Sequence, residues 1–113
     1  MPRPHKEDAL RDICDSAEAT VRYIFGVTFD ELLQNVVLQD ALIRRLEIIG
    51  EATKRFSQCA PELRAAHQEI PWKDMAGMRD VLIHAYDVVD LEEVWRVETE
   101  VIPNILPHLR ALQ

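Results

Sequence analysis

The chain has 113 residues, of which 48% are apolar and only three are glycine, and it carries a net charge of −7. This length supports one domain over residues 1–113 with a single core, and the shortage of glycine argues against a turn-rich β architecture. The negative balance excludes a general nucleic-acid binder, which needs cations at the phosphates; nucleic-acid contact must be local, through a few Lys or Arg in a cleft.

In chain order, residues 6–25 place Leu10, Ile13, Ala17, Val21 and Ile24 at steps of three and four, which predicts an amphipathic helix stopped by Gly26. "VTFDE" is a short connection with room for a helical turn. Residues 32–56 form a long helical pattern with the stripe Leu38, Leu42, Leu46 and Ile49. Pro61 and Pro71 each suit a first helical turn, where a missing N–H costs nothing. They predict a short helix near 61–68 and a longer one over about 72–85, followed by "DVVD" as a loop. Asp90, with Glu93 three residues on, resembles a capping box. It opens a last helix striped by Leu91, Val94, Trp95, Val101, Ile102, Ile105 and Leu109, which Pro103 and Pro107 should kink or break. The fold class is therefore all-α: an antiparallel bundle of four main helices with one short extra helix.

Most other residues have structural readings. Trp72 and Trp95 fall on apolar stripes and belong to the core. His5, His67 and His108 are isolated and solvated, and "RVETE" is a solvated charged face. Gly50 costs a mid-helix position about 1 kcal/mol against alanine; its use is close approach of another helix. Glu51 beside it is either surface or paired with an arginine. Cys14 and Cys59 show no CxxC or Cys/His ligand spacing and are expected as reduced, half-buried thiols of a cytoplasmic protein. No apolar run approaches the ~20 residues of a membrane span, and the polar start "MPRPHKEDAL" has no signal-peptide apolar stretch. Zinc-ligand pairs, GxGxxG, P-loop and GxSxG motifs are absent from the sequence, so neither a metal nor a cofactor is expected.

"MRDVLIHAY", residues 78–86, sets Arg79, His84 and Tyr86 inside an apolar helical run. Each alone has a structural explanation: Arg79 pairs with a carboxylate, His84 sits in a last turn favoured by the helix dipole, and Tyr86 packs under the next loop. All three together weaken it. At about 100° per residue, Arg79 and Tyr86 share a face while His84 lies about 140° from Arg79. Convergence then requires that the helix unwind near His84, that the arginine curl round, or that a second subunit complete the site across a two-fold axis. An imidazole titrates near neutrality and moves protons, and a guanidinium holds phosphate oxygens. The pair suits phosphodiester transesterification with the substrate's own 2′-hydroxyl as nucleophile, which restricts the substrate to RNA.

"RDVLIHAY" matches the Arg-x4-His-x-Tyr motif of the HepT-like branch of the HEPN superfamily. With "IIGEATKRFS" and "IPWKDMAGMRDVLIHAYDVVDLEEVW", the chain resembles that family over roughly residues 7–110. The resemblance implies a helical bundle that forms a homodimer, with both motifs facing a shared cleft. It implies a toxin that cleaves RNA without metal. It also implies a partner, a minimal nucleotidyltransferase antitoxin of the MntA type that transfers AMP to the motif's tyrosine. Arg79 then occupies the phosphate-binding position, His84 the acid/base position and Tyr86 the modified position. The family commonly has Asn after the arginine; Asp80 stands there, where it either orients Arg79 or His84 or repels RNA. Glu51 is a supporting polar candidate. The rival reading is a non-catalytic dimer that serves a nucleotidyltransferase as an interaction or nucleotide-binding module.

Overall fold

A computed structural model describes residues 5–84 and 88–113, with Val81, Ile83 and His84 described by backbone alone. Helix α1 spans Lys6–Ile24 and ends before Gly26, whose φ of 73° is the left-handed conformation that the stop signal requires. It buries Leu10, Ile13 and Ala17 as expected, together with Ala9, Cys14, Ser16 and Thr20. Val21 is the exception. It lies at the edge of the buried face and is 36% exposed.

The long second helix starts later than its periodicity suggests. Residues Phe29–Gln34 form a separate α2, capped by Thr28, whose hydroxyl accepts the Glu31 N–H at 3.2 Å. Asn35 then leaves helical geometry and caps α3, Val36–Cys59, by accepting the Leu38 N–H at 3.0 Å. Leu32 and Leu33 therefore belong to α2, not to the start of the long helix. Short helices α4, Pro61–Ala66, and α5, Trp72–Ala76, each begin at or just after a proline.

The expected single helix over 72–85 is divided. Gly77 ends α5, and α6 covers only Met78–Leu82. Ile83–His84 then forms β1, paired antiparallel with β2, Val88–Val89, in the register Ile83↔Val89 and His84↔Val88. "DVVD" is thus not simply a loop, since two of its residues form a strand. After it come α7, Leu91–Arg96, a π-helical stretch, Val97–Val101, and α8, Ile102–Ala111. Pro103 has no N–H to offer the carbonyl of Thr99, its α-helical acceptor. The chain widens just before it, and the Ile102 N–H reaches the Val97 carbonyl five residues back. Pro107 lies inside α8 without ending it.

The core lies where α1 and α8 pack along α3. Ile13, Leu42, Leu46, Ile49, Phe56, Ile102 and Leu109 are all fully buried there. Trp72 is core as expected, stacked on Phe56 with ring centroids 5.1 Å apart. Trp95 is only half-buried and leans on Phe29. Cys14 is buried, and burial first, then Glu18 and Asp15, pushes its thiol up to about 11, which leaves it unreactive. No helix among the described residues is long and apolar enough to cross a membrane.

"RVETE" is not uniformly solvated. Glu98 occurs in the π-helical stretch at 0% exposure, and neither carboxylate oxygen has a hydrogen-bond partner among the described residues. Nearby Thr20 spends its hydroxyl proton on the Ala17 carbonyl at 2.9 Å. Burial pushes the Glu98 carboxyl up to about 7. The folded chain therefore holds this proton over a pH range in which the unfolded chain has lost it. Stability from this group is greatest below about pH 4.5 and falls as pH rises through about 7. Glu98→Gln should flatten that slope and raise the melting temperature at pH 8 by about 4 °C or more, since one pKa unit is about 1.4 kcal/mol and 1 kcal/mol moves a domain of this size by about 4–8 °C. Thermal melts of both proteins from pH 5 to pH 8 would show it; parallel curves would contradict it.

Candidate active site

The site is positioned by the approach of α5 and α6 to α3. A Cβ on Gly50 would stand 3.3 Å from the Met75 carbonyl oxygen and 3.5 Å from that of Ala76. Gly50 is thus the close-approach position that the sequence suggested. Met75 and Met78 fill the contact, and the Trp72 indole N–H donates to the His67 carbonyl at 2.9 Å. His67 is not an isolated solvated side chain, because its Nδ1 lies 3.0 Å from a Glu69 carboxylate oxygen. Met78 and Leu82, four apart, both face the core. That orientation turns Arg79 and Asp80 outward.

Arg79 is 61% exposed, with its Nε 4.0 Å from a carboxylate oxygen of Glu47 on α3. It borders a cleft of about 190 Å³ lined by Glu47, Gly50, Glu51, Lys54 and Asp80. Glu51 is a surface residue of this cleft, and its partner is Lys54 at 3.5 Å rather than an arginine. Three carboxylates against two cations leave the cleft slightly negative. Glu47 escapes a reading of the sequence because it sits in the apolar run "LEIIGEA". The available signal is its position three residues before Gly50, on the side of α3 that the close approach brings against α6.

Between Arg79 and His84 the chain leaves the helix. In a continuing helix the Leu82 carbonyl would accept an N–H four residues on. Here it accepts the Asp90 N–H at 2.9 Å. Val88 and Val89 opposite Ile83 and His84 favour extended backbone over another helical turn. The carboxylate of Asp90 accepts the Glu93 N–H at 3.1 Å and caps α7, as the capping signal predicted. The straight-helix separation of about 140° between Arg79 and His84 does not hold, because the last two of the five steps are strand. Tyr86 lies outside the described residues, as does the side chain of His84. Among the described residues, no group of three or more His, Cys, Asp or Glu is placed to hold a metal ion.

The described residues build a helical bundle in which the helix that carries Arg79 ends at Leu82, two residues before His84. The Ribonuclease HepT-like family model matches residues 13–112, and the chain belongs to that family. It is 42% identical over 105 residues to "Probable ribonuclease HepT" of Thermococcus cleftensis, covering 93% of this chain and 92% of that one. It is 38% identical over 104 residues to a candidate RNase of Caldanaerobacter subterraneus subsp. tengcongensis, covering 92% and 87%. A candidate RNase of Methanocaldococcus jannaschii is 34% identical over 96 residues, covering 85% of each chain. No solved structure gives a significant match. Family membership makes the chain an enzyme of the endoribonuclease class.

Asp90 holds this segment by both its backbone and its side chain. Asp90→Ala should cost about 1 kcal/mol, as removal of a helix cap does, and Asp90→Asn, which still caps, should cost little. Urea unfolding of the two variants would separate them; equal destabilisation would remove the cap from the account.

Proposed function

We propose that the chain is a metal-independent ribonuclease in which Arg79 binds the scissile phosphate and His84 moves the protons. The observation that carries this reading is the end of α6 at Leu82, between an exposed Arg79 and His84. It supports the unwound form of the site, in which the two groups are not held on opposite faces of one helix. Neutral His84 takes the proton of the RNA 2′-hydroxyl, whose oxygen attacks the adjacent phosphorus. The 5′-oxygen leaves and takes a proton from an imidazolium. The products are a 2′,3′-cyclic phosphate and a 5′-hydroxyl. Arg79 neutralises charge on the phosphate during the attack, and Glu47 orients its guanidinium. Asp80 shares the cleft wall and tempers its affinity for a polyanion.

The assembly in this reading is a homodimer, with the two 78–86 segments across a shared cleft. The protein is the toxin of a toxin–antitoxin pair. Its antitoxin is a minimal nucleotidyltransferase that transfers AMP from ATP to the Tyr86 hydroxyl. Each phosphodiester so formed adds about one negative charge beside Arg79 and occupies the place of an RNA phosphate. The acidic balance of the chain and the three carboxylates of the cleft favour the second reading, a dimer that binds a nucleotidyltransferase without cutting RNA.

Cleavage assays on purified protein decide between them. Arg79→Ala and His84→Ala should each lower the rate by about 10²–10⁴-fold with melting curves unchanged. EDTA should have no effect, and the ends should be cyclic phosphate and 5′-hydroxyl. Tyr86→Phe should still cut RNA and should gain no AMP mass with the partner and ATP. Magnesium dependence or 5′-phosphate ends would overturn the mechanism. A wild-type protein that never cuts RNA would leave the non-catalytic reading.

A further inference from the structure

We propose that Arg44 and Arg45 form an accessory phosphate subsite that holds the RNA backbone beside the linkage being cut. This rests on the ribonuclease reading above. A second groove, of about 470 Å³, adjoins the Arg79 cleft along α3, and Glu47 and Glu51 border both. Its walls are Asp12, Asp15 and Ser16 of α1 and Arg44, Arg45 and Arg55 of α3.

The charges around it pair off unevenly. Asp12 takes Arg55 at 2.9 Å, Glu51 takes Lys54 at 3.5 Å, and Glu47 faces Arg79 at 4.0 Å. Arg44, Arg45 and Asp15 remain. Neither of these arginines makes a hydrogen bond or ion pair among the described residues. Arg45 is half-buried and its guanidinium has no counter-charge among the described residues. Such a group favours an incoming anion, and two adjacent ones suit the oxygens of a phosphate. The hydroxyl of nearly buried Ser16 is a further donor at the same wall.

Position then selects the ligand. Arg44 is three residues, or about 4.5 Å of helix, from Glu47, which faces Arg79. A single strand with its scissile phosphate at Arg79 can lay a neighbouring phosphate over Arg44 and Arg45. The two arginines supply the local cationic track that a chain of net charge −7 otherwise lacks.

The test uses the full-length protein and a fluorescent single-stranded RNA methylated at every 2′-oxygen, which cannot be cleaved by 2′-attack. Arg44→Gln/Arg45→Gln should weaken binding about tenfold or more at low salt. It should also reduce the slope of log affinity against log salt by about 0.7 for each phosphate that the protein no longer neutralises. With cleavable RNA, KM should rise and kcat should change by no more than about threefold, as for removal of uniform binding. Asp15→Asn removes the remaining carboxylate and should tighten binding, a second arm that holds if the double variant fails to fold. Unchanged affinity and slope in both variants would overturn the subsite. So would failure of dimerisation or partner binding with RNA affinity intact, which would make the groove a protein interface. If the methylated RNA binds through these arginines but cleavable RNA is never cut, the subsite stands and the nuclease reading fails.

Discussion

The backbone N–H of Asp90 reaches the Leu82 carbonyl at 2.9 Å while its carboxylate accepts the Glu93 N–H at 3.1 Å. One residue therefore ends one helix and begins another. The Leu82 carbonyl, once satisfied from Asp90, no longer needs the N–H that would extend α6. The released segment pairs with Val88 and Val89. Arg79 stays on helical backbone and His84 moves to extended backbone. Without this closure, helical spacing would set the two residues about 140° apart on one helix.

The second constraint is the absence of a side chain at Gly50. It brings the carbonyls of Met75 and Ala76 onto α3, and so sets Arg79 beside Glu47. The resulting cleft mixes signs. A guanidinium with carboxylates nearby holds its orientation but attracts a polyanion weakly. Arg44 and Arg45, in the adjoining groove that shares Glu47 and Glu51 with this cleft, are the charge we propose for holding RNA.

The sequence made the bundle legible wherever burial follows a period. Leu10, Ile13, Ala17, Leu42, Leu46 and Ile49 could be placed in the core from spacing alone, and all are buried. The family motif at Arg79, His84 and Tyr86 was equally visible. The start of α3 was hidden because Asn35 lies between runs that are both helical, and only its side-chain cap reveals the break. The hairpin was hidden because two-residue strands carry no periodicity. Glu98 was hidden because three of its nearest neighbours are charged or polar, which reads as a solvated face. A π-helical stretch ahead of Pro103 shifts the register and turns it inward. Glu47 was missed because its role depends on which helix Gly50 admits, a tertiary fact.

The reaction assigned to the Arg79–His84 segment requires the 2′-oxygen of the nucleotide at the cut. Its most direct test is an RNA oligonucleotide with one mapped cleavage position, compared with the same oligonucleotide carrying a single 2′-deoxy nucleotide there. The account predicts that the substituted linkage stays intact while the all-RNA control is cut. Cleavage of the 2′-deoxy linkage at a comparable rate would contradict it, because the nucleophile would then have to come from somewhere other than the substrate.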